Sequence, residues 1–215
     1  MLNLFRVAGD LVHCLSIYVL INKIHTSKSV NGLSFKTQVV YLVVYLTRYL
    51  DLFGGSWQRS LYNTVLKLVY ISTSGYICYL MQTQFRNTLN PQLDTFKIRY
   101  LFGAAAALAV LFHEKFTITE LLWSFSIWLE AGAILPQLFM IQRTGKCETM
   151  NTHYIFALGA YRALYVFNWI YRWIVKDPVG WISIVAGILQ TILYSDFFYV
   201  YYTKVVHGEA FSLPT

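Results

Sequence analysis

Charged side chains interrupt several segments of this sequence that are otherwise apolar. Arg6, Asp10 and His13 follow one another at intervals of four and three residues, so a helix would carry them on one face. A planar guanidinium pairs with a carboxylate through two parallel hydrogen bonds. The other polar candidates within such segments are Arg48, Tyr49, Asp51, Glu120, Trp123, Glu130, Tyr161, Arg162, Tyr165, Asn168, Trp169, Arg172 and Asp196. These charges, among which arginine is prominent, predict a binding site for an anionic ligand.

The charge pattern does not favour catalysis. The sequence contains no nucleophile elbow, phosphate-binding loop or dinucleotide fingerprint. Its cysteines, Cys14, Cys78 and Cys147, are scattered and have the spacing of neither a zinc site nor a disulfide framework. The carboxylates are matched by arginines, which suits charge balance better than general-acid chemistry. We therefore expect no enzyme activity, no cofactor and no metal.

The composition indicates a membrane protein. Of the 215 residues, 57% are hydrophobic and 13% are charged, whereas about 25% of the residues in a soluble domain are charged. Aromatic residues make up 18% of the chain, and tyrosine and tryptophan favour the membrane interface. The net charge of +7 does not indicate nucleic acid, because the basic residues lie in short loops and form no cationic face. The lipid bilayer is therefore the predicted surrounding.

Seven segments are long and apolar enough for spanning helices, which need about 17–25 residues. They cover residues 4–22, 37–54, 61–84, 98–112, 119–141, 153–175 and 181–203. The loops after the first, third and fifth segments, with the tail, hold Lys23, Lys28, Lys36, Arg86, Lys97, Arg99, Arg143, Lys146 and Lys204. The opposite loops hold only Arg59, Lys115 and Lys176. Because basic loops stay in the cytosol, we expect a cytosolic carboxyl terminus and an amino terminus on the other side.

A faint internal repeat divides the chain. Residues 31–38 precede residues 47–50 (TRYL) at the same spacing at which residues 145–152 precede residues 161–164 (YRAL). The pattern predicts an all-α membrane protein with two three-helix bundles joined by a linking helix, as in transporters built from repeats. In this single transmembrane domain, residues 1–215, repeat one covers about 1–84, the linking helix about 98–112, repeat two about 119–203 and the cytosolic tail 204–215.

The expected depths of the polar residues separate two groups. The non-cytosolic half should hold Arg6, Arg48, Tyr49, Asp51, Glu120, Trp169 and Arg172. The midplane and the region below it should hold His13, Glu130, Tyr161, Arg162 and Asp196. Ion pairs that only fix helix register could explain one pair, such as Arg6 with Asp10, but a whole set of them is costly to bury. We therefore predict a basic pocket open to the non-cytosolic side above a polar network; Lys67 receives no role.

His13 is a candidate pH sensor. The ordinary pKa of a histidine, about 6.5, makes its charge sensitive to the pH of an organelle. Burial and a nearby carboxylate act on that charge in opposite directions. The sequence leaves open which effect is larger.

Eight short motifs resemble the KDEL/HDEL receptor family, the endoplasmic-reticulum protein retention receptors. The match runs nearly from end to end, through residues 6–13 (RVAGDLVH), 47–53 (TRYLDLF), 133–140 (AILPQLFM), 152–154 (THY), 161–165 (YRALY), 168–170 (NWI), 196–198 (DFF) and 212–214 (SLP). The resemblance implies a seven-helix fold related to the SWEET and PQ-loop transporters. It also implies binding of a C-terminal Lys/His-Asp-Glu-Leu signal in the acidic Golgi, return in coat-protein-I (COPI) vesicles, and release at the neutral pH of the endoplasmic reticulum.

The resemblance implies roles for the arginines of the non-cytosolic half. Arg48 and Tyr49 would hold the terminal carboxylate of the peptide. Arg6 would bind its glutamate and Arg172 its aspartate, with Trp169 packed beside the latter. These guanidinium groups suit a ligand that brings three negative charges.

The same resemblance assigns the remaining candidates. Asp51 and Glu120 would receive the basic residue at the fourth position from the end, without separating lysine from histidine. Trp123 would wall the pocket, and Tyr165 is placed with the peptide-binding residues. A pH lock would be formed by His13, Tyr161 and Glu130, and the switching network would include Arg162, Asn168 and Asp196.

The tail departs from the family pattern. Many relatives carry a lysine cluster that recruits the vesicle coat, whereas residues 204–212 (KVVHGEAFS) contain only Lys204. Lys204 is therefore the candidate for coat recruitment, and the tail lacks the dilysine-like pattern that would predict retrieval by that route.

Two other functions fit seven apolar segments. A SWEET or PQ-loop transporter of a small solute would share the fold, but it needs a path open alternately to both faces, and the charged and aromatic layer at the midplane argues against one. A rhodopsin-like signalling receptor usually has longer loops and a longer tail. Solute uptake into proteoliposomes would identify the first, and G-protein coupling the second.

Overall fold

In a computed structural model of the protein, residues 3–54, 60–144 and 149–205 are described, except for the side chains of residues 149–151, 196 and 200–205. Every regular element in these ranges is helical. The α-helices are α1 (Leu4–Ser27), α2 (Phe35–Arg48), α3 (Leu61–Tyr79), α4 (Ile98–Leu111), α5 (Ile118–Ala131), α6 (Leu135–Thr144), α7 (Thr149–Ile174) and α8 (Trp181–Val205). Leu50–Leu52 and Arg86–Thr88 form single 3-10 turns, and Leu80–Gln84 extends α3 by a π-helical turn. The all-helical part of the prediction is confirmed.

Three helical units in the described ranges are long and apolar enough to cross a membrane. They are Leu4–Ser27, Leu61–Gln84 and the pair α5–α6, Ile118–Thr144. Their outward faces carry large apolar side chains such as Leu11, Leu68 and Ile118, which are 65%, 52% and 78% exposed. Apolar surface of this extent is stable against lipid rather than water. The chain is thus a helical membrane protein.

The second helix is shorter than the segment 37–54 that the sequence predicted. Tyr49 has φ −102° and ψ 28°, outside the helical range, and its N–H closes the last turn of α2 on the Tyr45 carbonyl at 3.1 Å. The chain then continues as the 3-10 turn Leu50–Leu52. Arg48 therefore ends α2, and Asp51 lies on the turn beyond it instead of within the predicted helix 37–54.

The fifth predicted segment, 119–141, is broken between α5 and α6. Gly132, Ala133 and Ile134 leave the helix. Pro136 has no N–H to continue a helical ladder, but it is tolerated in the first turn of α6, where no intrahelical partner is required. The proline therefore begins a new helix at Leu135 instead of continuing α5.

Gln137, which follows this break, ties it to the loop between α1 and α2. Its buried side chain accepts the Ser34 N–H at 2.8 Å and donates to the Gly32 carbonyl at 2.8 Å. Its own backbone N–H donates to the Thr37 hydroxyl at 3.0 Å. The bonds satisfy buried polar groups that would otherwise destabilise the protein. One glutamine thus fixes the positions of α2 and α6 relative to each other.

The helices pack so that α1, α2, α3, α5 and α7 surround the polar candidates. The main contacts are those of α1 with α7, α2 with α3 and α5, α4 with α5, and α8 with α7 and α5. The buried core includes Leu20, Val44, Leu129 and Leu158 from four of these helices, α1, α2, α5 and α7. The polar site lies between these helices rather than on their lipid-facing sides.

Candidate ligand-binding site

Two adjoining cavities contain most of the predicted site residues. The first cavity has a volume of about 350 Å³. Its lining residues include Arg6, Asp10, His13, Tyr45, Arg48, Tyr49, Lys67, Tyr70, Trp123, Glu130, Tyr161, Arg162, Tyr165 and Trp169. The second cavity, of about 510 Å³, is lined by Thr47, Arg48, Tyr49, Leu50, Asp51, Lys67, Thr119, Glu120 and Trp123. We call them the arginine cavity and the acidic cavity. They share Arg48, Tyr49, Lys67 and Trp123, so they are parts of one site.

Arg6 lies at the start of α1, where its guanidinium faces both α3 and its own helix. Its Nη2 donates to the Asn63 side chain at 2.6 Å, and its Nε lies 4.0 Å from the Asp10 carboxylate. The side chain is 28% exposed. A partly exposed arginine with a neutral first partner retains donors for an additional anion.

Asp10, by contrast, is fully engaged by the protein. Its carboxylate accepts the Tyr165 hydroxyl at 2.5 Å and the Tyr62 hydroxyl at 2.8 Å, and the residue is 4% exposed. These bonds come from α7 and α3, so Asp10 holds three helices together. The residue is better suited to positioning Tyr165 than to binding a ligand.

Glu130 is the centre of the buried charge cluster. Its carboxylate pairs with Arg48 at 2.5 Å and with Arg162, and it accepts the Tyr161 hydroxyl at 2.7 Å. The side chain is 2% exposed. The two arginines occupy equivalent positions in the sequence repeat, and they reach Glu130 from α2 and α7. One acid at the end of α5 therefore pairs with two cations that the sequence presented as separate.

Arg48 retains some capacity for a ligand. Its Nη1 binds Glu130, its Nε donates to the Ser126 hydroxyl at 3.1 Å, and its Nη2 donates to the Ser126 carbonyl at 2.9 Å. A guanidinium has five N–H groups. Three of them make these bonds, so two N–H groups have no hydrogen-bond partner among the described residues. Because the other three fix its orientation, the group is preorganised at the wall between the two cavities.

His13 lies in a stack of aromatic rings beside the charge cluster. Its imidazole is 4.1 Å from the Tyr161 ring at an interplanar angle of 6°, and 4.4 Å from the Tyr70 ring at 26°. Its Nε2 shares a hydrogen bond of 2.8 Å with the Tyr45 hydroxyl. The Tyr161 hydroxyl donates to Glu130, so the ring of Tyr161 connects His13 to the charge cluster. A protonated imidazole would be stabilised by the faces of both tyrosines.

The acidic cavity holds Asp51 and Glu120 at its wall. Asp51 pairs with Lys67, whose ammonium also lies 5.7 Å from the centre of the Tyr49 ring. Glu120 Oε1 is buried and has no hydrogen-bond partner in the described part of the chain. A buried acceptor without a partner costs free energy. The arrangement favours a cationic or hydrogen-donating ligand in this cavity.

Trp169 forms one wall of the arginine cavity and lies directly over Gly187 of α8. A Cβ atom at position 187 would overlap the six-membered ring of Trp169, whereas one at Gly75 would meet nothing within 4 Å. We expect Gly187→Ala to displace the indole and to destabilise the protein by about 1–3 kcal/mol through overpacking. Thermal unfolding of the purified protein measures the change, with Gly75→Ala as the matched control. Equal stability of the two variants would contradict this packing.

Some predicted residues lie apart from the cavities. Arg172 lines neither cavity in the described part of the chain; its Nε donates to Asp177 at 2.6 Å, and its Nη2 donates to the Pro178 carbonyl. The hydrogen bond from Arg172 lowers the pKa of the Asp177 carboxyl. Asn168 accepts the Asn3 side chain at 2.7 Å, and so contacts the start of α1 rather than Glu130. The side chains of Asp196 and Lys204 lie outside the described residues, although both positions belong to α8.

Several residues in and around the two cavities had no role in the sequence analysis. Tyr45 and Tyr70 enclose His13, Asn63 and Ser126 hold the arginines, and Lys67 lies in both cavities. One signal was available for Tyr45: tyrosines recur every fourth residue at 41, 45 and 49, along α2 and at its end, and their rings stack at centroid distances of 6.3 and 6.0 Å. Asn63, Ser126 and Tyr70 carry no comparable signal, because single polar residues are common in spanning helices.

Sequence comparisons agree with the motifs. Residues 29–172 match the family described as ER lumen protein retaining receptor. An ER lumen protein-retaining receptor of Saccharomyces cerevisiae is 51% identical over 219 residues, covering 99% of this chain and all of that protein. One of Drosophila melanogaster and an ER lumen protein-retaining receptor 2 of Danio rerio are each 49% identical over 213 residues, with 99% of this chain and the whole of each relative covered. Identity of this extent, together with the family match, shows that the chain belongs to the ER lumen protein retaining receptors.

Proposed function

We propose that this receptor binds the C-terminal Lys/His-Asp-Glu-Leu signal of lumenal proteins in the acidic Golgi and returns them to the endoplasmic reticulum. The observation that carries the proposal is the pairing of an arginine cavity with an acidic cavity through a shared wall. The signal peptide has the opposite pattern, with three negative charges at its end and a basic side chain before them. An extended tetrapeptide is about 13 Å long, which suits two adjoining cavities.

The arginine cavity supports recognition of the acidic end. Its cations are Arg6, Arg48, Lys67 and Arg162, whereas its acids are Asp10 and Glu130. Arg48, with its two remaining N–H groups, and Tyr49 bind the terminal carboxylate, and Arg6 binds the glutamate. Arg172 releases its partner Asp177 and binds the aspartate of the ligand. Because the Asp177 side chain is 25% exposed, water can solvate its carboxylate after this exchange.

The acidic cavity supports recognition of the basic side chain. Glu120 Oε1, which has no hydrogen-bond partner among the described residues, and the carboxylate of Asp51 accept the ammonium or imidazolium of the fourth residue from the end. Trp123, which lines both cavities, covers the peptide between the two ends. A transporter is less well supported, because Glu130, Arg162 and Tyr161 bond to one another across the floor of the arginine cavity.

The proposed topology follows from the helices and the basic loops. With α5 and α6 counted as one span broken at Gly132, the eight described α-helices make seven spans arranged as two three-helix bundles and a linking α4, similar to the SWEET and PQ-loop folds. The amino terminus is lumenal and the carboxyl terminus cytosolic. The receptor cycles between Golgi and endoplasmic-reticulum membranes in COPI vesicles, with Lys204 as the candidate contact for the coat.

Binding of a labelled peptide that ends in His-Asp-Glu-Leu tests the function. The purified receptor is titrated at about pH 5.5 and about pH 7.4, with the C-terminally amidated peptide as the control. We expect tight binding at the acidic pH and a loss of at least about 100-fold on amidation, because an arginine–carboxylate pair in a buried site contributes about 3 kcal/mol or more. Equal binding of the free and amidated peptides would contradict the carboxylate site, and solute uptake into proteoliposomes without peptide binding would favour the transporter.

A further inference from the structure

Lys67 occupies the place that the proposed ligand's cation would take. It extends from α3 to the turn after α2, where its ammonium pairs with Asp51 and lies over the Tyr49 ring. Asp51 lines the acidic cavity but not the arginine cavity, whereas Lys67 lines both. The lysine therefore crosses the boundary between the two cavities and neutralises an acid on the far side.

The environment allows this pair to open. The Lys67 and Asp51 side chains are 20% and 48% exposed, in contrast to Glu130, which is 2% exposed. Ion pairs with this access to water contribute about 1 kcal/mol or less. A cation from a ligand can therefore replace Lys67 at Asp51 at small cost, and the long flexible side chain can withdraw into the arginine cavity.

We propose that Lys67 is a specificity-determining residue: an internal cation that competes with the basic fourth residue of the signal for Asp51. The competition reduces the advantage that a basic signal has over a neutral one, so the receptor also accepts signals that depend mainly on the acidic end. This inference rests on the proposed function, because it presupposes that a peptide cation enters the acidic cavity.

The test compares two peptides that differ only in one charge. One ends in Lys-Asp-Glu-Leu, and the other has norleucine in place of the lysine; charge selectivity is the Kd of the norleucine peptide divided by that of the lysine peptide. This ratio cancels any contact that Lys67 makes with the shared Asp-Glu-Leu end. We expect Lys67→Gln to raise the ratio about threefold over that of the unmodified receptor, the size of a partly exposed ion pair.

An Asp51→Asn background separates competition from simple repulsion between two cations. In Asp51→Asn the carboxylate that pairs with Lys67 is gone, so adding Lys67→Gln should leave the ratio unchanged. A rise of the same size in both backgrounds, or an unchanged or lower ratio in Lys67→Gln alone, would overturn the proposal. If Lys67→Gln does not fold, Lys67→Arg provides the opposite test, because the bidentate guanidinium holds Asp51 more firmly and should lower the ratio; a higher ratio would be inconsistent with competition.

The outcome also distinguishes this inference from the proposed function. If neither peptide binds the unmodified receptor, the proposed function fails. If both bind in an amidation-sensitive manner while the ratio does not respond to Lys67, only the competition fails.

Discussion

Replacing Glu130 by glutamine is expected to destabilise the folded receptor by about 3–5 kcal/mol, because the change leaves two buried cations without their counter-charge. Arg48 and Arg162 both pair with this one carboxylate, and the Tyr161 hydroxyl donates to its other oxygen. Glutamine preserves the shape of the side chain and can still accept one hydrogen bond, so the effect isolates the charge. Thermal and chaotrope unfolding of the protein in detergent measures the loss.

Two further variants make this expectation specific. Glu120→Gln changes an acid that has a buried oxygen without a partner among the described residues, so its effect on stability should be much smaller. Adding Arg162→Met to Glu130→Gln removes one of the two uncompensated charges and should recover part of the stability. If Glu130→Gln unfolds no more readily than Glu120→Gln, the charge cluster is not what holds α2, α5 and α7 together.

The link between Glu130 and the two arginines explains how far the sequence could predict this site. The repeat and the period of the helix placed Arg48 and Arg162 at equivalent positions and put Arg6, Asp10 and His13 on one face. In the structure these three residues all line the arginine cavity. Periodicity defines a face, however, and does not define the axial shift between two helices. The pairing of Arg48 with a carboxylate 82 positions away therefore had to come from the structure.

Local backbone geometry limited the prediction of helix ends. The sequence from Thr37 to Gly54 is apolar enough for one helix, but α2 ends at Arg48, and this end turns Tyr49 and Asp51 toward the acidic cavity. Pro136 was visible in the sequence, yet the compensating bonds of Gln137 to Ser34 and Gly32 depend on tertiary contact. Breaks in spanning helices are tolerated where neighbouring groups satisfy the freed backbone, and such neighbours are not adjacent in sequence.

The partner of Lys67 also could not be predicted from the sequence alone. A basic residue in an apolar helix usually reaches the interface or finds a partner, and the sequence offered several acids at suitable depths. Its pairing with Asp51 became identifiable only once the turn after α2 was placed beside α3. The position that received no role in the sequence analysis therefore lies at the junction of the two cavities.

Replacing His13 by glutamine is expected to remove the pH dependence of peptide binding. If only the protonated imidazole supports the bound state, the affinity of the unmodified receptor falls as the pH rises from about 5.5 to about 7.4, by at most about 80-fold because a single proton is linked to binding. The sign follows from linkage: the bound state holds one more proton than the free state, so binding is complete at low pH and weakens as pH rises. In His13→Gln the Kd values at the two pH values should agree within about twofold.

The position of His13 gives this coupling a physical route. The imidazole lies between Tyr161 and Tyr70, and Tyr161 donates to Glu130, the acid that orients Arg48. Carboxylates entering the arginine cavity add negative charge above the ring, which favours the imidazolium, and the protonated ring in turn favours the ligand. His25→Gln is the matched control, because His25 is exposed, contacts Tyr76 at 3.0 Å and lines none of the described cavities. Retained pH dependence in His13→Gln, or its loss in His25→Gln, would place the proton-sensitive group elsewhere in the receptor.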